Sequence, residues 1–258
     1  MALPASGTIS LNDVAGEFGG TVPHSLNEYY GAADGVPTSG TIDLQDFHGK
    51  ASVPVVTYIG NRNGTNSWPT TSIGSKQGGG YRAVVYCFPN MNKGPYNRAP
   101  NVSIVSRSGS TNGQTLSDYV GYGKINGGWW EEYAVSVAYV PDDCTSTSMT
   151  IDWGANHGRT YYMWVVDKLQ TNSVVSYTKG SSGNKTIATQ PNDVIIWGCS
   201  GGGYRDMAWE GNASHPNSIT APHQANSYCK GSSESFICVD SSTTVGGAYN
   251  EHGFVVLR

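Results

Sequence analysis

The sequence predicts a mainly β protein: a jelly-roll-like antiparallel β-sandwich over residues 53–258, preceded by a small module of short capped helices over residues 1–52. Three observations carry this. One short phrase is written three times in the first fifty residues. Apolar spacing changes from helical to strand-like between Ala51 and Pro54 and does not change back. Beyond that point about a dozen short apolar or aromatic runs are separated by Gly, Pro and Asn clusters.

The repeated phrase comes first along the chain. Residues 4–16 read Pro-Ala-Ser-Gly-Thr-Ile-Ser-Leu-Asn-Asp-Val-Ala-Gly, and residues 37–49 read Pro-Thr-Ser-Gly-Thr-Ile-Asp-Leu-Gln-Asp-Phe-His-Gly. A shorter copy, Ser25-Leu26-Asn27-Glu28-Tyr29-Tyr30-Gly31, lies between them. In each copy an N-cap residue (Ser10, Ser25, Asp43) is followed three positions later by an acid (Asp13, Glu28, Asp46). That is capping-box spacing, in which cap and acid each satisfy one orphan backbone N–H. Asp13 and Asp46 have a shorter reach than Glu28.

Behind each cap, Leu11, Val14 and Ala15, then Leu26, Tyr29 and Tyr30, then Leu44, Phe47 and His48 fall at i, i+3 and i+4, one face of a helix. Gly16, Gly31 and Gly49 are expected to stop the helices after little more than a turn. Helices this short do not survive alone, because nucleation costs more than one or two turns return. Caps worth about 1 kcal/mol each set where the turns form without holding them in water. The module is therefore expected to fold against a partner or against its own copies. The other reading of the same residues is a helical subdomain packed on the rest of this chain.

Strands are expected at Val53–Ile59, Tyr81–Phe88, Val102–Arg107, Leu116–Tyr122 and Trp129–Val140, with Asn61–Gly80 as a loop. Further strands are expected at Ser148–Trp153, Thr160–Leu169, Val174–Thr178, Lys185–Thr189, Asp193–Cys199, Ser227–Lys230, Ser235–Asp240 and Gly253–Leu257. Within Trp129–Val140 both alternating sets are apolar or small, which marks a central strand. Many short strands without a helix among them read as two packed antiparallel sheets.

Composition narrows function by exclusion. Charged residues make up only 13% of the chain and its 34 glycines are about twice ordinary usage, so Ser, Thr, Asn and Gly carry its solubility. A net charge of −4 with no basic cluster excludes an electrostatic footprint for nucleic acid or an anionic membrane. No basic-then-apolar leader is visible, and no window approaches a membrane span, so neither export signal nor transmembrane helix is expected. Five cysteines with no Cys-x-x-Cys pair argue against both zinc and a disulfide framework.

Catalytic signals are weak. Gly198-Cys199-Ser200-Gly201-Gly202 is a literal Gly-x-Ser-x-Gly, yet turn residues follow it where a nucleophile elbow needs a helix, so no catalytic role is assigned to Ser200. The six histidines are dispersed without metal-ligand spacing, and no metal or cofactor is expected. Glu131-Glu132 and Asp142-Asp143 point to opposite faces if they lie on strands. The loop-borne Trp68, Trp129, Trp130 and Trp209 suit either packing at the sandwich end or a receptor or glycan surface.

Ser6–Val14, Ser25–Tyr30 and Ser39–Gly49 together resemble the opening repeats of structural proteins in tailed-bacteriophage virions, mostly tail, fibre or neck components. The resemblance covers about a fifth of the chain, and the strand series beyond it is more loosely similar to β-sandwich domains of phage tail proteins. It implies a non-enzymatic virion part, assembled in host cytoplasm, whose module joins other virion proteins while the sandwich faces outward. The docking residues would be Leu11, Asp13, Val14, Phe18, Leu26, Glu28, Tyr29, Tyr30, Leu44, Asp46 and Phe47. A homo-oligomer is expected, a trimer being the usual architecture of such appendages. The alternatives are a carbohydrate- or receptor-binding head contacting host glycan, a capsid decoration protein and, last, a glycan-cleaving enzyme.

Overall fold

The computed structural model describes residues 3–20, 22–33, 35–50, 52–63, 67–92, 101–106, 111–115, 118–122, 131–150, 160–200, 219–220, 224–225, 230–238 and 242–258. An N-terminal helix, α1 (Leu11–Phe18), and two 3-10 turns (Leu26–Tyr29 and Leu44–Phe47) precede the strands. The strands begin with β1 (Val55–Asn63), β2 (Ser67–Ser72), β3 (Tyr81–Asn92), β4 (Asn101–Ser106) and β5 (Thr111–Thr115). They continue with β6 (Asp118–Tyr122), β7 (Glu131–Val140), β8 (Cys144–Thr150), β9 (Thr160–Leu169) and β10 (Val174–Ala188). The series ends with β11 (Val194–Ser200), β12 (Ile219–Thr220), β13 (Gln224–Ala225), β14 (Lys230–Ile237) and β15 (Ser242–Leu257).

All recorded pairings are antiparallel, and the strands form three sheets. The first has the order β1-β9-β3-β7-β6, the second β10-β15-β11-β14-β12 with β13 also on β14, and the third β2-β8-β4-β5. The first two stack as a sandwich. Ala83, Val85, Cys87, Val135, Val137, Trp164 and Val166 from the first interdigitate with Val194, Ile196, Ile237, Val255 and Leu257 from the second. A polar link crosses the centre: Trp164 Nε1 donates to Ser233 Oγ at 2.9 Å, which donates to the Trp197 carbonyl at 2.8 Å.

The first sheet is buried on its other face too. Arg82, Val84, Tyr86, Ser136, Ala138, Met163, Val165 and Asp167 alternate with the sandwich-facing residues and are all buried. The third sheet meets this face, where Tyr86 Oη lies 2.9 Å from Thr147 Oγ1 of β8. The second sheet also carries a further core on its outer face, formed by Ile195, Trp197, Phe236, Cys238, Phe254 and Val256. Ile187 joins this cluster from beyond the bulge that interrupts β10 and β15 near Ser181–Gly183. The architecture is thus a β-sandwich with a third sheet against it, where two sheets were expected.

The differences from the expected strands have local causes. Asn61–Gly80 contains β2, hidden by Trp68-Pro69; Pro69 is accommodated because β2 is an edge strand whose register shifts between Trp68 and Thr71. Val174–Thr178 and Lys185–Thr189 are one strand, β10, running through Gly180 and Gly183 across a bulge. The expected central strand is interior: β7 lies between β3 and β6, with Val135, Ser136, Val137 and Ala138 all buried.

Between the first and third sheets sits a fully buried ion pair. Arg82 Nε is 3.1 Å from Asp167 Oδ1, with both side chains 1% exposed. The guanidinium also donates to the carbonyls of Gly74 and Cys144 at 2.9 Å and of Ile73 at 2.5 Å. Burial pushes the Asp167 carboxyl up, and Arg82 pulls it back. Removing one partner strands a buried charge. Asp167→Ala is expected to cost about 3–5 kcal/mol in urea unfolding, and the Arg82→Met/Asp167→Leu pair less than the sum of the two singles.

Candidate docking module

The three copies of the phrase fold alike. Ser10, Ser25 and Asp43 are all extended N-caps, and the acid three residues on reaches back in every case. Asp13 Oδ2 accepts from Ser10 N at 2.8 Å, Glu28 Oε1 from Ser25 N at 3.1 Å and Asp46 Oδ2 from Asp43 N at 2.9 Å. The two aspartates therefore close the box as well as the glutamate does. Hydrogen bonds from Ser10 hold the Asp13 carboxyl below the usual carboxylate range, its side-chain bond first and its backbone bond second.

Burial repeats with the sequence. The cap is exposed, the following leucine half-buried, the apolar residue after the acid buried, the next residue half-buried and the closing glycine exposed, in all three copies. Val14, Tyr29 and Phe47 are thus equivalent, at 0%, 2% and 0% exposure. With Leu3, Ile9, Phe18 and Val36 they form a core of the module's own, against which Leu11, Leu26 and Leu44 pack from its rim. Phe18, Tyr29 and Phe47 make a triangle of tilted and edge-on rings, with centroids 5.8 to 6.4 Å apart.

Backbone bonds close the module end to end. Leu3 N donates to the Lys50 carbonyl at 2.8 Å and Gly49 N to the Pro4 carbonyl at 3.0 Å. Gly31 and Gly49 follow their turns in left-handed conformation, as expected. Gly16 does not end the first helix. That helix runs on to Phe18 and is capped by Gly19, whose N–H donates to the Ala15 carbonyl at 2.8 Å. The extra turn brings Phe18 into the aromatic triangle, and that packing outweighs the helix penalty of Gly16.

The extra turn also reaches the end of the module and the β2–β3 connection. Buried Glu17 accepts from Ser52 N at 3.0 Å and Ser52 Oγ at 3.3 Å. Gly19 lies against Gly78 and Gly79 of the β2–β3 connection so closely that a Cβ on it would be 2.9 Å from Gly78 Cα. Sequence reasoning did not single out Glu17, Ser52 or Gly19 for a role. The run Gly78-Gly79-Gly80 was the visible signal.

Of the expected docking residues, Val14, Phe18, Tyr29 and Phe47 are spent on the module's core, and Asp13, Glu28 and Asp46 hold caps. Tyr30 is half-buried and its hydroxyl donates to the Gly40 carbonyl. Leu11, Leu26 and Leu44 keep part of their surface. Trp129, Trp130 and Trp209 lie outside the described residues, and of Trp68 only the backbone is described, pairing with Met149. Ser200 ends β11, and residues 201–218 after it lie outside the description. No helix is long and apolar enough to cross a membrane, and no group of three metal-ligating side chains occurs, both among the described residues.

Phe47→Ala should cost about 3–5 kcal/mol and melt the module ahead of the sandwich, which two-probe thermal unfolding would resolve. The Asp13 cap has a definite pH sign. A lowered folded-state pKa gives stability that is present above the ordinary carboxylate range and is lost as pH falls through the folded value. Asp13→Asn should therefore destabilise the module at neutral pH and converge with the parent on acidification, as followed by circular dichroism.

Compared with protein-family models, with curated proteins and with solved structures, the chain matches none.

Proposed function

We propose that this chain is a non-enzymatic structural component of a tailed-bacteriophage particle, a tail fibre, tail-tip or neck appendage. Residues 1–52 serve as its attachment module and residues 53–258 as its exposed domain. One observation supports this above the others: the residues that carry the resemblance to phage virion repeats are the same ones that fold as three equivalent capped turns around one core. A phrase kept at cap, leucine, acid, buried apolar and glycine in all three copies serves a common architecture.

Among the apolar side chains of the module that keep part of their surface, the half-buried Leu11, Leu26 and Leu44 recur at the same place in all three copies, so the docking role narrows to them. Contacts of this kind are worth little singly and gain from triplication. The exposed domain is read as the part turned to the outside, and self-association as the route to a defined appendage.

An antibody raised against the purified chain gives the test. The chain should co-sediment with intact particles and label their tail or neck in electron micrographs; a chain that stays in the soluble fraction of a particle-rich lysate overturns the reading. Leu11→Ala/Leu26→Ala/Leu44→Ala should leave the fold in place, because these side chains sit on the rim of the core, and should reduce incorporation at least about tenfold.

A further inference from the structure

Module and sandwich meet backbone to backbone at one seam. Gly79 stands where a Cβ would be 2.8 Å from the Gly16 carbonyl oxygen, 3.2 Å from the Glu17 carbonyl oxygen and 3.2 Å from Gly19 N. Its φ is not in the left-handed region, so its own conformation tolerates a side chain; only the module forbids one. Across the same seam, a Cβ on Gly19 would meet Gly78 Cα and Gly79 N at 2.9 Å. None of these obstacles is the free end of a flexible side chain. They are main-chain atoms of two separately closed structures, and one moves only if its whole unit moves.

The β2–β3 connection is itself pinned. Arg82 holds the carbonyls of Ile73 and Gly74 at one end. Lys76 Nζ donates to the Gly80 carbonyl at 2.5 Å and to Asp142 Oδ1 at 2.7 Å at the other. On the module side, Glu17 grips Ser52 at the first residues of the chain leading to β1. A tether of residues 50–54 alone would leave the module free to swing. The glycine seam removes that freedom, and the Glu17 bonds fix where the tether leaves the module.

We infer that the seam is a latch. It seats the module on the sandwich in one orientation, so the two form a single rigid body. The seam consumes the C-terminal end of α1 at Gly16–Gly19, which leaves the capped end at Ser10–Leu11 about 10 Å away along the helix as the end presented outward. That consequence rests on the attachment role proposed above. The latch itself does not, because it is measured on the purified full chain without a particle.

Trypsin cleavage after Lys50, mapped by mass, reports the latch, because release of the module frees the 50–54 segment. The parent chain should resist. Gly79→Val should be cut at Lys50 about tenfold faster and show a larger radius of gyration in solution scattering, with the fluorescence of Trp164 and Trp197 in the sandwich unchanged. Gly16→Ala, whose Cβ meets nothing within 4 Å, should behave as the parent. If Gly79→Val fails to fold, Gly79→Ala, which adds the same Cβ with less bulk, takes its place, and a rise in Lys50 cleavage is again required. Equal cleavage in parent and latch variants, or no rise in either variant, overturns the latch while leaving the attachment role to its own test.

Discussion

The buried guanidinium of Arg82 is the constraint on which most of this structure depends. Its sheet is covered on both faces, so a charge at that position has no water to turn to and must be answered wholly by protein. Asp167 faces the charge from β9, and the carbonyls of Ile73, Gly74 and Cys144 accept from the two terminal nitrogens. Those carbonyls belong to the β2–β3 connection and the start of β8. One side chain therefore fixes how the third sheet approaches the first and where the connection between them runs. A hydrophobic residue would fill the space at lower desolvation cost, yet it would leave three carbonyls unpaired and the connection unplaced.

The module solves a different problem with smaller means. A four-residue 3-10 turn gains almost nothing by itself, because its nucleation cost is unreturned. Two such turns and the longer helix α1, each started by a cap, share the cost of a common core. The second and third copies supply aromatics, Tyr29 and Phe47, where the first supplies Val14. The first copy makes up the volume through Phe18, one turn further on, and this lengthens its helix past Gly16. Divergence among the copies is thus compensated within the core and leaves the caps alone.

How much of this was legible in the sequence follows from range. Caps, the closing glycines Gly31 and Gly49 and the change from helical to strand structure are local signals that appear in the structure, while Gly16 does not close its helix; most expected strands lie within a few residues of observed ones. Short strands such as β2 and β5 were missed because Pro69 and Gly113 interrupt them and pairing with neighbours decides them. The role of Arg82 was invisible, since nothing in Gly-Gly-Gly-Tyr-Arg says that the arginine turns inward. The docking residues were only half legible. Helical periodicity shows which side chains share a face, and it does not say whether that face meets a partner or the other two copies of the same phrase.

The low charge and high glycine content acquire a physical meaning here. The module and the sandwich each close a core of their own, and the apolar clusters of the two have no residue in common. Backbone against backbone fits two such surfaces closely, and it needs glycine on both sides. Gly19 and Gly79 supply that fit, and hydrogen bonds from Ser52 to the carboxylate of Glu17 give it direction. A contact of this kind adds little binding energy, since few apolar atoms leave water, but it tolerates almost no displacement. Such a joint is suited to holding an angle between two parts that each have a core of their own.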